Sequence, residues 1–317
     1  MKLSLGLPSA VLVWLGLISA DACSIFAAEP FPYQAASYVG GRLTNSPGLT
    51  VFPFDRESFS IAVPLTLGRI AFSLDGTTMF APAVPDPAGQ NGRRIVKIEL
   101  STLRITTVPG SSMTSTVTAL AVSRTGDKIV YRGGWGDVGS RTCGLFDLDI
   151  ASGRIRAVLE TSDCSGVSNR TWVSLSPDDR QVVTSVDGVL QIVSLQDGTT
   201  QPIGRGLVHG AWSPDGRWIA AIELGQAGLC KAILIDPSSP SRRRDLGGVE
   251  DEPLVWSPDS DYILHSIGGS DCPATNREAR SLDRMDVATG KRSIIKSSVC
   301  KVIAGSEIGW ISSAVAR

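Results

Sequence analysis

Residues 211–220 read AWSPDGRWIA, and this stretch decides the fold because it recurs along the chain. Strong copies are VWSPDSDYIL at 255–264 and SLSPDDRQVV at 174–183. Weaker copies are AVSRTGDKIV at 121–130 and AFSLDGTTMF at 71–80. One such cluster would be an ordinary hairpin turn, whereas five in order indicate a repeated architecture.

Each copy has the chemistry of a turn between two strands. An apolar strand ends at Ser, Pro presets φ at the next position, Asp bonds the amides ahead of it, and Gly tolerates positive φ. The aligned serines lie at 73, 123, 176, 213 and 257, so the spacings are 50, 53, 37 and 44 residues. A variable period of this size is typical of one four-stranded propeller blade per repeat.

These turns resemble the WD-like propeller repeats of the TolB family, which occur in many exported bacterial proteins. The resemblance covers roughly residues 50–310 and implies a β-propeller. TolB itself carries an α/β domain before its propeller, and this chain has too few residues there to match it. The role of TolB in its envelope system therefore does not transfer with the resemblance.

The two chain ends are predicted to complete the ring. Trp310, in EIGWI at 307–311, matches the Trp before the turn, while residues 36–65 resemble the outer strands of a blade. Pairing them would remove the loose edges of a linear array of sheets. The expected fold is thus an all-β, six-bladed β-propeller in which N- and C-terminal strands close one composite blade.

Residues 1–22 have the pattern of a signal peptide, with Lys2, an apolar run and Ala20-Asp21-Ala22 as a small-x-small cleavage site. We expect cleavage near Ala22, a short lead at 23–35, one propeller domain at 36–317, and a periplasmic or secreted protein without a transmembrane segment. The alternatives are an N-terminal membrane anchor and a lipoprotein attached through Cys23.

Composition narrows the function classes. Lys and Arg number 30 against 31 Asp and Glu, so the basic face that nucleic acid requires is not expected. The chain has two histidines and no Cys-x-x-Cys, so we expect neither a metal nor another cofactor. We expect a monomer that binds a protein, peptide or glycan at one propeller face.

The cysteine positions suggest two disulfide bonds, each of which would link the outer hairpin of a blade. Export would permit disulfides, and comparable positions in two blades favour the pairs Cys143–Cys164 and Cys272–Cys300. Cys230 has no obvious mate in its blade, so it is either free or an alternative partner of Cys272.

Polar insertions concentrate in the loops between second and third strands, as expected of a binding rim. Tolerated insertion at exposed turns explains them equally well. The candidate binding residues are Asp86, Asn91, Arg93, Trp135, Asp137, Arg141, Asp271, Asn276 and Arg277. Trp135, among glycines, is either an exposed stacking platform or a plug on its own blade.

Catalytic signals are weak. His209 precedes an inner strand and could face the central channel, whereas His265 lies on a second strand; structural roles are favoured for both. Nucleophile-elbow and phosphate-loop contexts are missing. Arg242-Arg243-Arg244 reads as a solvated outer strand.

The leading hypothesis is therefore an exported, non-enzymatic binding or interaction propeller. The alternatives are a channel-face enzyme, such as a polysaccharide lyase or hydrolase, and a structural adaptor of an envelope complex. The adaptor would carry a broad apolar rim patch.

Overall fold

The structure is a computed structural model. It describes residues 33–39, 48–52, 59–62, 69–83, 94–111, 114–135, 142–161, 172–225, 230–267, 271–272, 277–303 and 307–312. All of these belong to one compact unit, Pro32–Arg317. Every regular element in them is a strand apart from isolated turns, and none forms a helix with the length and apolar composition needed to span a bilayer.

The strands form antiparallel sheets in chain order. The first strands are β1 (Tyr33–Val39), β2 (Gly48–Phe52) and β3 (Phe59–Ala62). Blade 1 contains β4 (Ala71–Phe72), β5 (Thr78–Ala83), β6 (Arg94–Glu99) and β7 (Arg104–Thr107). Blade 2 contains β8 (Thr114–Val122), β9 (Lys128–Trp135), β10 (Thr142–Asp149) and β11 (Ile155–Thr161).

The remaining strands follow the same plan. Blade 3 contains β12 (Val173–Leu175), β13 (Gln181–Val186), β14 (Val189–Ser194) and β15 (Thr200–Arg205). Blade 4 contains β16 (Leu207–Trp212), β17 (Ile219–Leu224), β18 (Cys230–Asp236) and β19 (Ser239–Val249). Blade 5 contains β20 (Val255–Trp256), β21 (Tyr262–Ile267), β22 (Asp271–Cys272), β23 (Arg277–Asp286) and β24 (Arg292–Ile303).

The last strand, β25 (Glu307–Ser312), pairs with the first. Trp310 lies opposite Ala35, and Ala35 lies opposite Phe52 on the other side of β1. The order β25-β1-β2-β3 is therefore a sheet made from both chain ends, which we call the composite sheet. The predicted pairing of the two ends is confirmed, and β1 begins at Tyr33, slightly before the expected start at residue 36.

Innermost strands contact one another in sequence. The contacts run from β4 to β8, β12, β16 and β20, and β25 contacts both β4 and β21 of blade 5. The sheets therefore stand around a common axis, and the all-β propeller expectation is confirmed. Five blades come from continuous chain, one for each repeat found in the sequence.

The turns are built as their residues require. In blade 4 the Ser213 hydroxyl donates to Asp215 Oδ1 over 2.6 Å and accepts the Trp218 amide over 3.0 Å. Asp215 Oδ1 also accepts the Arg217 amide. Gly216 has φ +76°, the left-handed conformation that glycine adopts at little cost.

Two turns replace this glycine, and the replacement links neighbouring blades. Asp179 and Ser260 occupy the glycine position with φ of 56° and 67°. The Asp179 carboxylate accepts the Arg124 amide over 3.0 Å, and Ser260 Oγ accepts the Asp215 amide over 3.0 Å. In both cases the donor belongs to the turn of the preceding blade.

Outer strands are linked by arginines. Arg243 Nη2 donates to the Ile203 carbonyl of blade 3 over 3.1 Å, and Arg244 Nη2 donates to the Val287 carbonyl after β23. Adjacent residues of a strand point to opposite faces, so Arg243 and Arg244 of β19 contact the two blades on either side of blade 4. All three arginines belong to β19, the outer strand of blade 4, so the expectation of a solvated outer strand holds for Arg242 and Arg243, which are exposed, while Arg244 is partly buried.

Candidate functional site

Most predicted rim residues lie outside the described residues. These are Asp86, Asn91, Arg93, Asp137, Arg141 and Asn276. Asp271 and Arg277 belong to strands rather than to a loop, because β22 and β23 pair as a short hairpin with Cys272 opposite Arg277. The binding roles of all these residues stay predictions.

Trp135 is the last residue of β9 and lies opposite Thr142 of β10. Gly133 and Gly134 belong to the same strand and pair with Gly144 and Cys143. The Trp135 side chain is partly buried against the core of blade 2. This packing is consistent with the plug on its own blade, and the binding role of Trp135 stays a prediction.

His209 has an unusual backbone conformation. It lies in β16 with φ 54°, and the register of β16 against β17 shifts between Val208 and Ala211, which marks a β-bulge. Gly210 permits the bulge, because a Cβ there would lie 2.8 Å from Leu190 Cδ1 and 2.9 Å from Val183 Cγ2. The imidazole is 2% exposed.

Three other side chains form a cluster with this histidine. His209 Nε2 lies 3.2 Å from Asp251 Oδ1, and its ring meets the Trp172 ring edge-on at a centroid distance of 6.1 Å. Arg69 Cζ lies 5.9 Å from the centroid of the same Trp172 ring. We call Arg69, Trp172, His209 and Asp251 the mouth cluster.

Topology explains why these residues meet. Arg69 and Trp172 come just before β4 and β12, His209 comes near the start of β16, and Asp251 comes before β20. Innermost strands all run from the connection between blades, so their starting ends share one opening of the channel. The mouth cluster therefore lies at the face where blade connections and second-to-third-strand loops emerge.

The mouth cluster combines an aromatic face with charges of both signs. Trp172, Arg69 and Asp251 are partly buried, and Asp251 is flanked by Glu250 and Glu252, which are also partly buried. Tryptophan stacked with a cation is a common element of recognition sites. Such a surface suits a ligand that offers both apolar and charged groups.

Below the mouth, the channel contains a cavity of about 250 Å³. Its described walls come from the innermost strands of blades 1 to 5 and are mainly apolar. Its lower end is crossed by Arg124, whose Nη1 donates to the Pro214 carbonyl over 3.3 Å and whose amide donates to Asp179. Burial raises the pKa of Asp179 although the Arg124 amide opposes that change.

The second histidine forms a separate pair. His265 Nδ1 lies 3.6 Å from Asp283 Oδ1, and both side chains are buried within blade 5. Each histidine thus has its own aspartate. Within the described ranges, no group of three His, Cys, Asp or Glu side chains is arranged to hold a metal ion.

Cysteine connectivity remains predicted. Cys143 is buried at the start of β10, Cys272 lies in β22, and Cys300 lies in β24. Cys164 lies outside the described residues. Cys230 is buried at the start of β18.

The sequence suggested His209 as a possible channel-facing residue, which stays a prediction, but gave no indication of Arg69, Trp172 and Asp251. The available signal was their place immediately before an innermost strand, which becomes visible once the repeats are aligned. Nothing in the sequence indicated which of these positions would reach across to another blade.

Comparisons with known proteins bear on the fold. No protein-family model and no curated protein sequence matches the chain. The structure of TolB from Acinetobacter baumannii is similar with a TM-score of 0.65 at 15% identity, over 89% of this chain and 67% of that one. The nidogen/laminin complex gives 0.61 at 11% identity, over 89% and 99%. A putative TolB from Agrobacterium tumefaciens gives 0.54 at 13% identity, over 89% and 98%.

Proposed function

We propose, from the premise that the chain is a TolB-like β-propeller, that it is an exported, non-enzymatic binding protein whose mouth cluster contacts a partner protein or peptide. The observation that carries the proposal is the meeting of Arg69, Trp172, His209 and Asp251 at one opening of the channel. A rigid scaffold that presents side chains from several blades is suited to recognition.

Backbone strain at His209 supports a functional role for the mouth. A non-glycine residue at φ 54° costs free energy, and strained residues cluster at binding and catalytic sites. His209 is too buried to contact a partner directly. Its role is to hold Trp172 and Asp251 in place.

The charges favour a protein or peptide over a glycan. Arg69 is positive, and Glu250, Asp251 and Glu252 are negative, so the mouth carries charges of both signs. A peptide can offer charges of both signs. The similarity to a propeller solved in the nidogen/laminin complex is consistent with protein binding but does not identify a partner.

The other two function classes have less support. An enzyme at the channel would need its titratable groups gathered in one cleft, whereas His209 and His265 belong to separate pairs. An adaptor would need a broad apolar rim patch. Among the residues whose exposure is described, Ile294, at 60%, is the one exposed large hydrophobic side chain.

Export belongs to the same proposal. Residues 1–22 would act as a signal peptide, and the mature protein would be a periplasmic or secreted monomer. Mass spectrometry of the protein from its native cell would give a mature terminus at residue 23 without lipid. An uncleaved chain or a lipid on Cys23 would contradict this part.

We also infer that the composite sheet serves as a sixth blade. The contacts of β25 with β4 and with β21 support this assignment. Deleting residues 307–312 should then open the ring and abolish cooperative unfolding. Cooperative unfolding of the truncated chain would contradict it.

Affinity capture from the native cell envelope tests the binding proposal. Trp172→Ala should lose the partner that the wild type retains, because it removes the centre of the mouth cluster. Trp218→Ala is the matched control: Trp218 is also partly buried beneath an arginine, with Arg244 Cζ at 5.9 Å, but lies outside the mouth cluster. Identical partners for the wild type and Trp172→Ala would refute the proposal.

A further inference from the structure

The residue that follows the turn serine is charged in one blade and apolar in the others. This position is Arg124 in blade 2, whereas blades 1, 3, 4 and 5 carry Leu74, Pro177, Pro214 and Pro258. All five of these residues line the central cavity. The turn itself does not require a cation there, since leucine and proline occupy the same position in the other blades. Arg124 therefore places one positive charge in an otherwise apolar ring of residues at the lower opening of the cavity.

The Arg124 side chain extends across this lower opening. Its backbone amide donates to Asp179 in the turn of blade 3, and its Nη1 donates to the Pro214 carbonyl in the turn of blade 4 over 3.3 Å. Because blade 3 lies between blades 2 and 4, the side chain has to pass the end of the innermost strand of blade 3 to make this bond. Arg124 is also exposed, so a ligand at the lower opening can reach its guanidinium.

The guanidinium has no carboxylate partner in the part of the chain that the structure describes. Its hydrogen bond there is to a neutral carbonyl, which leaves most of its N–H donors available. Asp179 also lines the cavity, but its carboxylate accepts the Arg124 amide and not the guanidinium. Burial raises the pKa of Asp179, as expected of a carboxylate that has no cation bound to it. A guanidinium whose charge is not paired is a favourable partner for a carboxylate.

Above the guanidinium, the walls of the cavity are mainly apolar. They include Ile70, Leu120 and Val173, which belong to three different blades. Among the described residues that line the cavity, Arg124 and Asp179 are the two with charged side chains. The walls and the lower opening together suit a molecule that has an apolar body and one anionic group at its end.

We propose that the central cavity binds a small organic acid, with its apolar body between the innermost strands and its carboxylate on the Arg124 guanidinium. The cavity of about 250 Å³ corresponds to about eight water-sized volumes of ~30 Å³, which is enough space for a saturated six-membered ring. Trp172 lines the same cavity, so the acid lies beneath the mouth cluster in one continuous channel. The proposal does not rest on the partner proposed for the mouth, because the carboxylate is held at the opposite end.

The test compares two probes that have the same shape and differ in charge. Cyclohexanecarboxylate is an anion at about pH 7, and cyclohexanecarboxamide is its neutral isostere. The mature protein, labelled with ¹⁵N at its indole nitrogens, is titrated with each probe. Binding is followed through the N–H resonances of the tryptophans that line the cavity, Trp172, Trp212 and Trp256, which Trp→Phe variants assign.

We expect the carboxylate to bind about five- to tenfold more tightly than the carboxamide at low salt, as one charge-assisted pair at an exposed arginine allows. The preference should shrink at ~1 M salt, because screening weakens the ion pair. Arg124→Leu, which introduces the side chain that blade 1 carries at this position, should remove the preference and retain carboxamide binding. Arg180→Leu is the matched control and should leave the preference unchanged, because Arg180 is an exposed arginine of the blade 3 turn that does not line the cavity.

Equal affinities for the two probes would overturn the proposal, and so would the failure of both probes to move the three indole resonances. A preference for the carboxylate that survives in Arg124→Leu would also overturn it, because the anion would then be bound elsewhere. If Arg124→Leu fails to fold, Arg124→Gln takes its place, since glutamine is neutral and can still donate to the Pro214 carbonyl. The proposal for the mouth is decided separately, by the affinity capture with Trp172→Ala.

Discussion

Comparing the stability of Trp256→Phe with that of Trp212→Phe measures the contribution of one hydrogen bond, because the two tryptophans are otherwise closely matched. Trp256→Phe removes the donor to the Ala211 carbonyl, whereas Trp212→Phe removes an indole whose Nε1 has no acceptor among the described residues. Both side chains are buried to nearly the same degree and occupy equivalent positions before the turn. The two variants therefore differ mainly in that bond.

The magnitude follows from the atoms removed. Each substitution deletes the same part of the indole, so its transfer and cavity cost, about 1–2 kcal/mol, is nearly common to both variants. Trp256→Phe additionally removes the hydrogen bond from Trp256 Nε1 to the Ala211 carbonyl, which contributes about 0.5–1.5 kcal/mol. We expect Trp256→Phe to be less stable than Trp212→Phe by this second amount.

Urea unfolding followed by circular dichroism measures the difference, with equal m-values as the condition for comparing midpoints. The wild type should be the most stable and Trp256→Phe the least. If Trp212→Phe proves as destabilising as Trp256→Phe, the two indoles are equally satisfied, and the reasoning about the unpartnered donor is wrong.

Two further predictions concern the bulge and the turns. Gly210→Ala should cost about 1–3 kcal/mol, because the new Cβ would overlap packed methyl groups; Gly248→Ala, with its nearest contact at 3.8 Å, is the control, and equal urea midpoints would contradict the prediction. Hydrogen bonds from turn hydroxyls, Thr125 foremost for Asp127 and Ser176 for Asp178, hold the pKa of both aspartates below the usual range. Their stabilisation is present above the unfolded pKa of about 4 and is lost as pH falls through the folded pKa. The urea midpoint should therefore drop between pH 6 and pH 3, with a smaller drop in Asp178→Asn; parallel curves would contradict this.

Much of the fold could be predicted because the residues that form each turn can be recognised in the sequence. Ser213, Asp215 and Gly216 each satisfy a local requirement of the backbone, so the sequence marks where every blade turns. The pairing of β25 with β1 could also be predicted, since Trp310 repeats the residue that precedes a turn in other blades. Local chemistry and periodicity are sufficient for both.

The candidate site could be predicted only in part, because its contacts join residues far apart in the chain. His209 was singled out by its place before an inner strand, but the sequence did not reveal its φ of 54° or that Leu190 and Val183 of another blade leave no room for a Cβ at the adjacent Gly210. The meeting of Trp172 with Arg69 likewise depends on how blades stand around the axis. A repeat pattern gives the residues of a blade and not the distances across a channel.

Hydrogen bonds join neighbouring blades both near the propeller axis and at the outer strands, and together they help the channel to keep its shape. Near the axis, the Arg124 amide bonds Asp179 and its guanidinium reaches Pro214, so the turns of blades 2, 3 and 4 are joined at the floor. At the outside, Arg243 bonds a carbonyl of blade 3. Since blades 3 and 4 are tied both at their inner turns and at their outer strands, they resist both tilting and radial displacement. The innermost strands between these ties are therefore held at fixed separations, which a preorganised binding cavity requires.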